Sequence, residues 1–287
     1  MDNYSDIKQS EKGAWLSLLA YIVLSAVKLL IGTHSGSQAL LADGLNNSTD
    51  IIASIAILIG LRISRRPPDS NHSYGHFRAE TVAALIASFI MVAVGFQVLY
   101  QGVNKFIQPV LETPDLIAAW TAAGSAAVMV IVYRYNIRLA RRLNSNAMQA
   151  VAQDNRSDAL VSMGAFTGIL GSQFGLPWLD PVTAVIVGLL ICKTAWDIFS
   201  KATHDLTDGF DAGQLELMKQ TVAGIAGVES IKDIKARVHG NNVLVDTTVL
   251  VKPSLNVVQS HDITEEIEEQ LKGQYKVSNV LVHIEPV

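Results

Sequence analysis

Asp43, Asn46, Asn47 and Asp50 lie in LLADGLNNSTDIIAS, residues 40–54, where a membrane helix ordinarily carries Leu and Val. Residues three and four apart share a helix face, so these four form one polar stripe. Asn46 and Asp50, at i and i+4, bring two oxygens towards one point. Asp154 and Asp158 repeat that spacing in AQDNRSDALVS. A carboxylate at the centre of a bilayer costs about 2.5–3.5 kcal/mol on insertion scales. No membrane-embedded basic partner is expected at equal depth, so the acids call for a neutralising cation. The plainer alternative is a helix–helix hydrogen-bond network, which would suffice for a lone Asn. Two i,i+4 pairs on separate helices instead supply four ligands. All four offer oxygen, whereas zinc sites mostly use His and Cys. Oxygen sets suit Mn²⁺, Mg²⁺ or Ca²⁺.

The elements that must hold these residues follow from composition. The 287 residues are 49% hydrophobic and 17% charged, with a positive mean hydropathy, as in a membrane protein. The net charge of −4 gives no footprint for nucleic acid. A single cysteine, Cys192, excludes an internal disulfide and a thiolate cluster. The polar start, MDNYSDIKQSEK, does not read as a cleavable signal peptide. Stretches at about 13–32, 38–61, 80–106, 114–136, 147–172 and 178–199 are long and apolar enough to span. Lys8 and Lys12, then Arg62, Arg65, Arg66 and Arg78, then Arg134, Arg138, Arg141 and Arg142 fall on one side. The loops THSGS, SQFGLPW and 107–113 lack Lys and Arg. The positive-inside rule then places both termini in the cytoplasm.

After about residue 204 the chain becomes charged and amphipathic. A helix is predicted over 211–224 with Asp211 as N-cap, and strands over 228–238 and 242–251 around the turn HGNN. A helix over 256–272 and a last strand, VSNVLVHIEP, complete an αββαβ order suited to a compact α+β domain. The expected domains are a six-helix membrane domain at 1–204 and a cytoplasmic domain at 205–287.

Together with the loop PPDSNHSYGHFRAE at 67–80, these features resemble the cation diffusion facilitator family of divalent-metal/proton antiporters, over nearly the whole chain. Members carry a similar NHSxGHxxxE run before helix 3. The resemblance implies that Asn46, Asp50, Asp154 and Asp158 form the transport site. Zinc members usually have a His in this set. Its absence, with DGLNN…D and DNRSD, looks like the manganese-exporting branch, whose proteins are homodimers with a ferredoxin-like cytoplasmic domain.

The resemblance also implies a loop site at Asp69, His72 and His76. The loop equally reads as one that only positions helix 3. In the tail, His261, His283 and Glu285 fall where zinc members hold a binuclear cluster. Lys232 and Thr248 replace expected His ligands there, leaving at most a weaker site. His239 reads as a further ligand or as part of a turn, and His34 and His204 as surface or interface residues. Arg78 and Asp208 match a charge pair that family members place where membrane and tail portions meet.

The expected function is Mn²⁺ export from the cytoplasm across the cell membrane, driven by inward protons, by a homodimer without a resident cofactor. Crowded carboxylates repel, so an empty site takes up protons and an arriving metal displaces them. Zn²⁺, Fe²⁺ or Co²⁺ export by the same machinery is the near alternative. A metal-dependent membrane hydrolase or a metal sensor is the distant one. No nucleophile or general-base set accompanies the acids, and no effector segment follows the tail.

Overall fold

The computed structural model describes residues 3–64, 66–107, 114–143, 146–240, 242–275 and 277–287. Arg65, loop residues 108–113 and Asn241, which entered the sequence reading, lie outside this set. The chain divides into two compact units, Met1–Ile55 with Ala87–Asp197, and Ala56–Ile86 with Ile198–Val287.

Six long helices come first: α1 Asn3–Ser35, α2 Gln38–Ser64, α3 Ala79–Ile107, α4 Leu116–Leu143, α5 Asn146–Gln173 and α6 Leu179–Leu206. Each covers almost all of its predicted stretch, and several run further at the charged end. Apolarity marks only the lipid-compatible part, whereas Arg, Lys, Leu and Glu keep a helix going beyond it. Arg62, and Arg141 with Arg142, fall in the last turns of α2 and α4, where cations suit the helix dipole. Among the described residues, Trp15–Ser35, Ala79–Ile107, Leu116–Arg142 and Leu179–Leu206 are long and apolar enough to cross a membrane. Helices α2 and α5, of 27 and 28 residues, carry the Asn46/Asp50 and Asp154/Asp158 pairs.

In the first unit α1 packs on α4 and α5. Small residues let the helices approach closely, as in membrane bundles generally. Ala39 and Leu40 of α2 meet Ala118, Ala119 and Ala122 of α4 and Ala165 and Ile169 of α5. At Gly95 of α3 a β-carbon would stand 2.6 Å from Cys192 Sγ of α6, so only glycine fits without displacement.

The start of α2 is fixed from α6. Asp180, 1% exposed, accepts from Ser37 Oγ (2.6 Å), Gln38 N (2.8 Å) and Ala39 N (3.3 Å). A carboxylate here satisfies amides that the first helical turn leaves open and suits the positive end of the dipole.

The second unit contains the αββαβ tail: α7 Ala212–Ala223, β1 Ser230–His239, β2 Asn242–Val251, α8 Val257–Tyr275 and β3 Asn279–Pro286. Asp211 caps α7 by accepting from Gln214 N at 2.8 Å. Asn256 and Gln259 cap α8 reciprocally, each side chain accepting from the other's backbone N–H. The sheet order is β1-β2-β3. The short turn makes β1 and β2 antiparallel, and the α8 crossover makes β2 and β3 parallel. Met218, Val222, Val245, Val249, Ile267 and Leu271 form the core.

Asp180→Ala removes three acceptor contacts from the entry of α2 and is expected to destabilise the protein by about 2 kcal/mol. Thermal unfolding in detergent checks this; an unchanged Tm would show that the cap contributes nothing.

Candidate metal-transport site

On α2 and α5 the side chains separate by depth along the helix. Asp158 of α5 is the centre of one cluster. Its Oδ1 accepts from Asn46 Nδ2 (3.1 Å), which ties α5 to α2, and its Oδ2 accepts from Tyr21 Oη of α1 (2.8 Å). Tyr21 in turn accepts from Asn155 Nδ2 (2.8 Å). Asn155 Oδ1 accepts from Ser17 Oγ (3.0 Å) and from Asn136 Nδ2 of α4 (2.8 Å). Asp158 is therefore held directly from two other helices, α1 and α2, and indirectly from α4 through Tyr21 and Asn155.

Of the four expected ligands, the structure puts Asn46 and Asp158 in contact. Asp50 stands one turn beyond Asn46, and its buried Oδ2 has no hydrogen-bond partner among the described residues. Asp154 stands one turn before Asp158 with its side chain exposed. The carboxylates of Asp50, Asp154 and Asp158 are not gathered within 4.8 Å of one another.

The other half of the α2 stripe meets a partner that the sequence reading did not expect. Asp43 Oδ1 lies 2.9 Å from Lys28 Nζ of α1, both side chains fully buried. Lys28 also donates to Asn47 Oδ1 (2.6 Å) and to Ser162 Oγ of α5 (2.9 Å). The expectation that the acids lack an embedded basic partner is thus corrected. The stripe is also two groups, not one: Asp43 and Asn47 turn to Lys28, Asn46 to Asp158. A hundred degrees per residue spreads 43, 46, 47 and 50 widely enough to face two neighbours. The missed signal is on α1, where Ser17, Tyr21, Ser25 and Lys28 recur at helical spacing within an otherwise apolar run. Ser25 belongs to the same face, donating to Gly44 O at 3.1 Å.

In the second unit Asp69, His72 and His76 come together. Asp69 Oδ1 is 3.1 Å from His72 Nδ1, Asp69 Oδ2 is 3.5 Å from His76 Nε2, and the two rings are 4.3 Å apart. This is the one triad of His, Cys or carboxylate groups among the described residues with ligand atoms all within 4.8 Å. The backbone N–H groups of Asn71 and His72 hold the Asp69 carboxyl below the usual carboxylate range, so it stays a charged ligand.

The tail residues are not gathered in this way. His261 Nε2 turns to Glu265 (3.4 Å), while His283 Nε2 lies 3.6 Å from Glu285 Oε1. Lys232, beside a register shift in β1, donates to Glu285 Oε2 at 2.6 Å and lowers that carboxyl's affinity for protons. Thr248 lies opposite His283 in the β2–β3 register and offers no ring nitrogen.

Arg78 and Asp208 form an ion pair. Beside it, His239 makes edge contacts with Tyr74 (6.3 Å) and Phe77 (5.9 Å). Gly240, at φ +64°, lies so close to Phe77 O that a β-carbon would stand 2.3 Å away. His34 bonds its own helix at Leu30 O, and the ring of His204 packs on Gly209.

Comparison with known proteins places this geometry in context. The model of the cation efflux transmembrane domain matches residues 14–207, and that of the cation efflux protein cytoplasmic domain matches residues 211–287. The manganese efflux system protein MneS of Bacillus subtilis is 56% identical over 100% of this chain and 99% of its own length. An uncharacterized transporter of the same organism, YdbO, is 54% identical over 100% and 99%. The manganese efflux system protein MneP, also from Bacillus subtilis, is 32% identical over 96% of each chain.

Burial, with Arg78 and Arg237 nearby, holds the His239 imidazole below its ordinary pKa of 6.5. An unfolded chain then binds the proton more readily than the folded one. Its contribution to stability is present above 6.5 and declines as the pH falls below it. Melting curves taken down to about pH 5 are expected to show a steeper loss for the wild type than for His239→Phe; parallel curves would contradict it.

Proposed function

The chain belongs to the cation efflux, or cation diffusion facilitator, family, and on that premise we propose that it exports Mn²⁺ from the cytoplasm in exchange for protons. Membership makes it a multi-pass membrane transporter and not an enzyme. The observation that carries the choice of ion is the ligand chemistry on α2 and α5. Asn46, Asp50, Asp154 and Asp158 offer oxygen alone, and the contact between Asn46 and Asp158 joins the two helices at that level. Oxygen ligands suit a hard ion, and the absence of nitrogen removes the advantage zinc draws from imidazole. The names of MneS and MneP, both manganese efflux system proteins, agree with this reading.

In this mechanism the metal is bound between α2 and α5 and the proton is its competitor. Asn46 can ligate only through Oδ1, so its amide, which donates to Asp158, must turn as the ion arrives. Asp50 and Asp154 then close on the ion from one turn away on either helix. Protonation of the carboxylates releases it on the opposite side, and alternating access follows from rocking of helices around the site.

We further propose a cell-membrane homodimer joined through its tail, with both termini cytoplasmic and the domain boundary at 204/205. The match of the tail to the family's cytoplasmic domain supports the dimer. The basic loops support the orientation. Asp69, His72 and His76 form a second, cytoplasmic metal site in this reading. Their mixed nitrogen and oxygen donors suit Zn²⁺ or Co²⁺ better than the transport set does, which keeps Zn²⁺, Fe²⁺ or Co²⁺ as the second reading of the cargo.

Purified protein in vesicles with an imposed pH gradient tests the proposal. Asp50→Ala is expected to abolish Mn²⁺ flux while the protein elutes as a folded dimer; wild-type flux in the variant would overturn the site. Asp154→His combined with Asn46→Asp introduces the nitrogen of zinc-type sites. It is expected to raise Zn²⁺ flux and lower Mn²⁺ flux side by side with the wild type. An unchanged ratio would show that selectivity lies outside these four residues.

A further inference from the structure

The transport reading assigns no task to Lys28, although its ammonium is fully buried among apolar helices. Its three partners are all fully buried too: Asp43 and Asn47 on α2 and Ser162 on α5. Their positions are informative. Asn47 is the neighbour of Asn46 and lies one turn before Asp50. Ser162 lies one turn after Asp158. A single cation on α1 thus grips both helices that carry the metal ligands, next to the ligands themselves.

A structural tie alone would not need a charge. Ser17 and Ser25 already join α1 to its neighbours through neutral hydrogen bonds. A buried ion pair gains little stability over a well-packed apolar pair, because removing both charges from water offsets their attraction. The group is also incompletely satisfied: Asp43 Oδ2 and Asn47 Nδ2 are buried without a hydrogen-bond partner among the described residues. Those features fit a charge kept for its field and not for its contribution to folding.

We propose that Lys28 is a positioning residue of the transport site, a built-in counter-cation that with Asp43 sets how much negative charge the site presents to a metal. This inference rests on the transport reading above. With Asp43 ionised beside it, the ammonium is balanced, and Asp50, Asp154 and Asp158 face the incoming ion undiminished. Without Asp43, the same ammonium repels a divalent ion from a short distance in a poorly screening medium. In that setting a single unit charge changes affinity by about tenfold or more.

The test separates charge from packing. In reconstituted vesicles, Asp43→Asn is expected to raise the KM for Mn²⁺ by about tenfold, with a smaller change in kcat. Adding Lys28→Met to that variant removes the unbalanced charge and is expected to bring KM back towards the wild-type value. A purely structural network predicts the reverse, since the double variant loses two members and the single variant one. A double variant with KM equal to or above that of Asp43→Asn therefore overturns the proposal. So does an unmoved KM in Asp43→Asn. Equilibrium Mn²⁺ binding to the detergent-purified variants reads the same order of affinities where reconstitution yields are poor. If the wild type exports Mn²⁺ and Asp50→Ala does not, failure of the Asp43 and Lys28 results sinks this inference alone. Absence of Mn²⁺ flux in the wild type sinks both readings.

Discussion

Charge inside an apolar helical bundle has to be answered at the depth where it occurs, and that constraint organises this protein. Among the described residues, Asp43, Asp158 and Asp180 each meet a partner on another helix. Asp180 answers the open amides of α2. Asp158 receives a hydroxyl and an amide. Asp50 keeps a buried oxygen without a hydrogen-bond partner among the described residues. The helices are consequently joined by polar contacts at defined levels, while alanine and glycine between those levels let the backbones come close. Packing and chemistry share the same faces.

Much of this is legible in the sequence itself. The i,i+4 pairs stand out because carboxylates are rare in such runs, and the tail's strands and the cap of α7 follow from alternation and from Asp211. The basic ends of the helices were harder. Counting apolar residues finds where lipid can be, not where a helix stops, so α4 ran on to Leu143 past the expected end near 136. The largest omission was α1. Its polar residues are scattered singly among leucines and valines, and none forms an i,i+4 pair of acids. Only their common face, once α1 packs on α4 and α5, shows that Tyr21 and Lys28 address the residues singled out on α2 and α5.

The tail teaches a complementary point. Three candidate ligands are present in the sequence, yet side-chain competition decides what they touch. Lys232 occupies one oxygen of Glu285, and His261 turns to an acid on its own helix. The loop triad differs because its backbone forms tight turns that present the Asp69 carboxylate to both imidazoles. Spacing proposes a site; local backbone geometry determines whether its atoms converge.

The cap provided by Asp180 has a consequence for biogenesis. The amides at the head of α2 are synthesised early, and their acceptor arrives only with the sixth helix. Until then, Ser37 and the first turn of α2 must be answered by water or lipid headgroups at the bilayer surface. The turn between the first two helices therefore acquires its full set of acceptors only once the last long helix is in place.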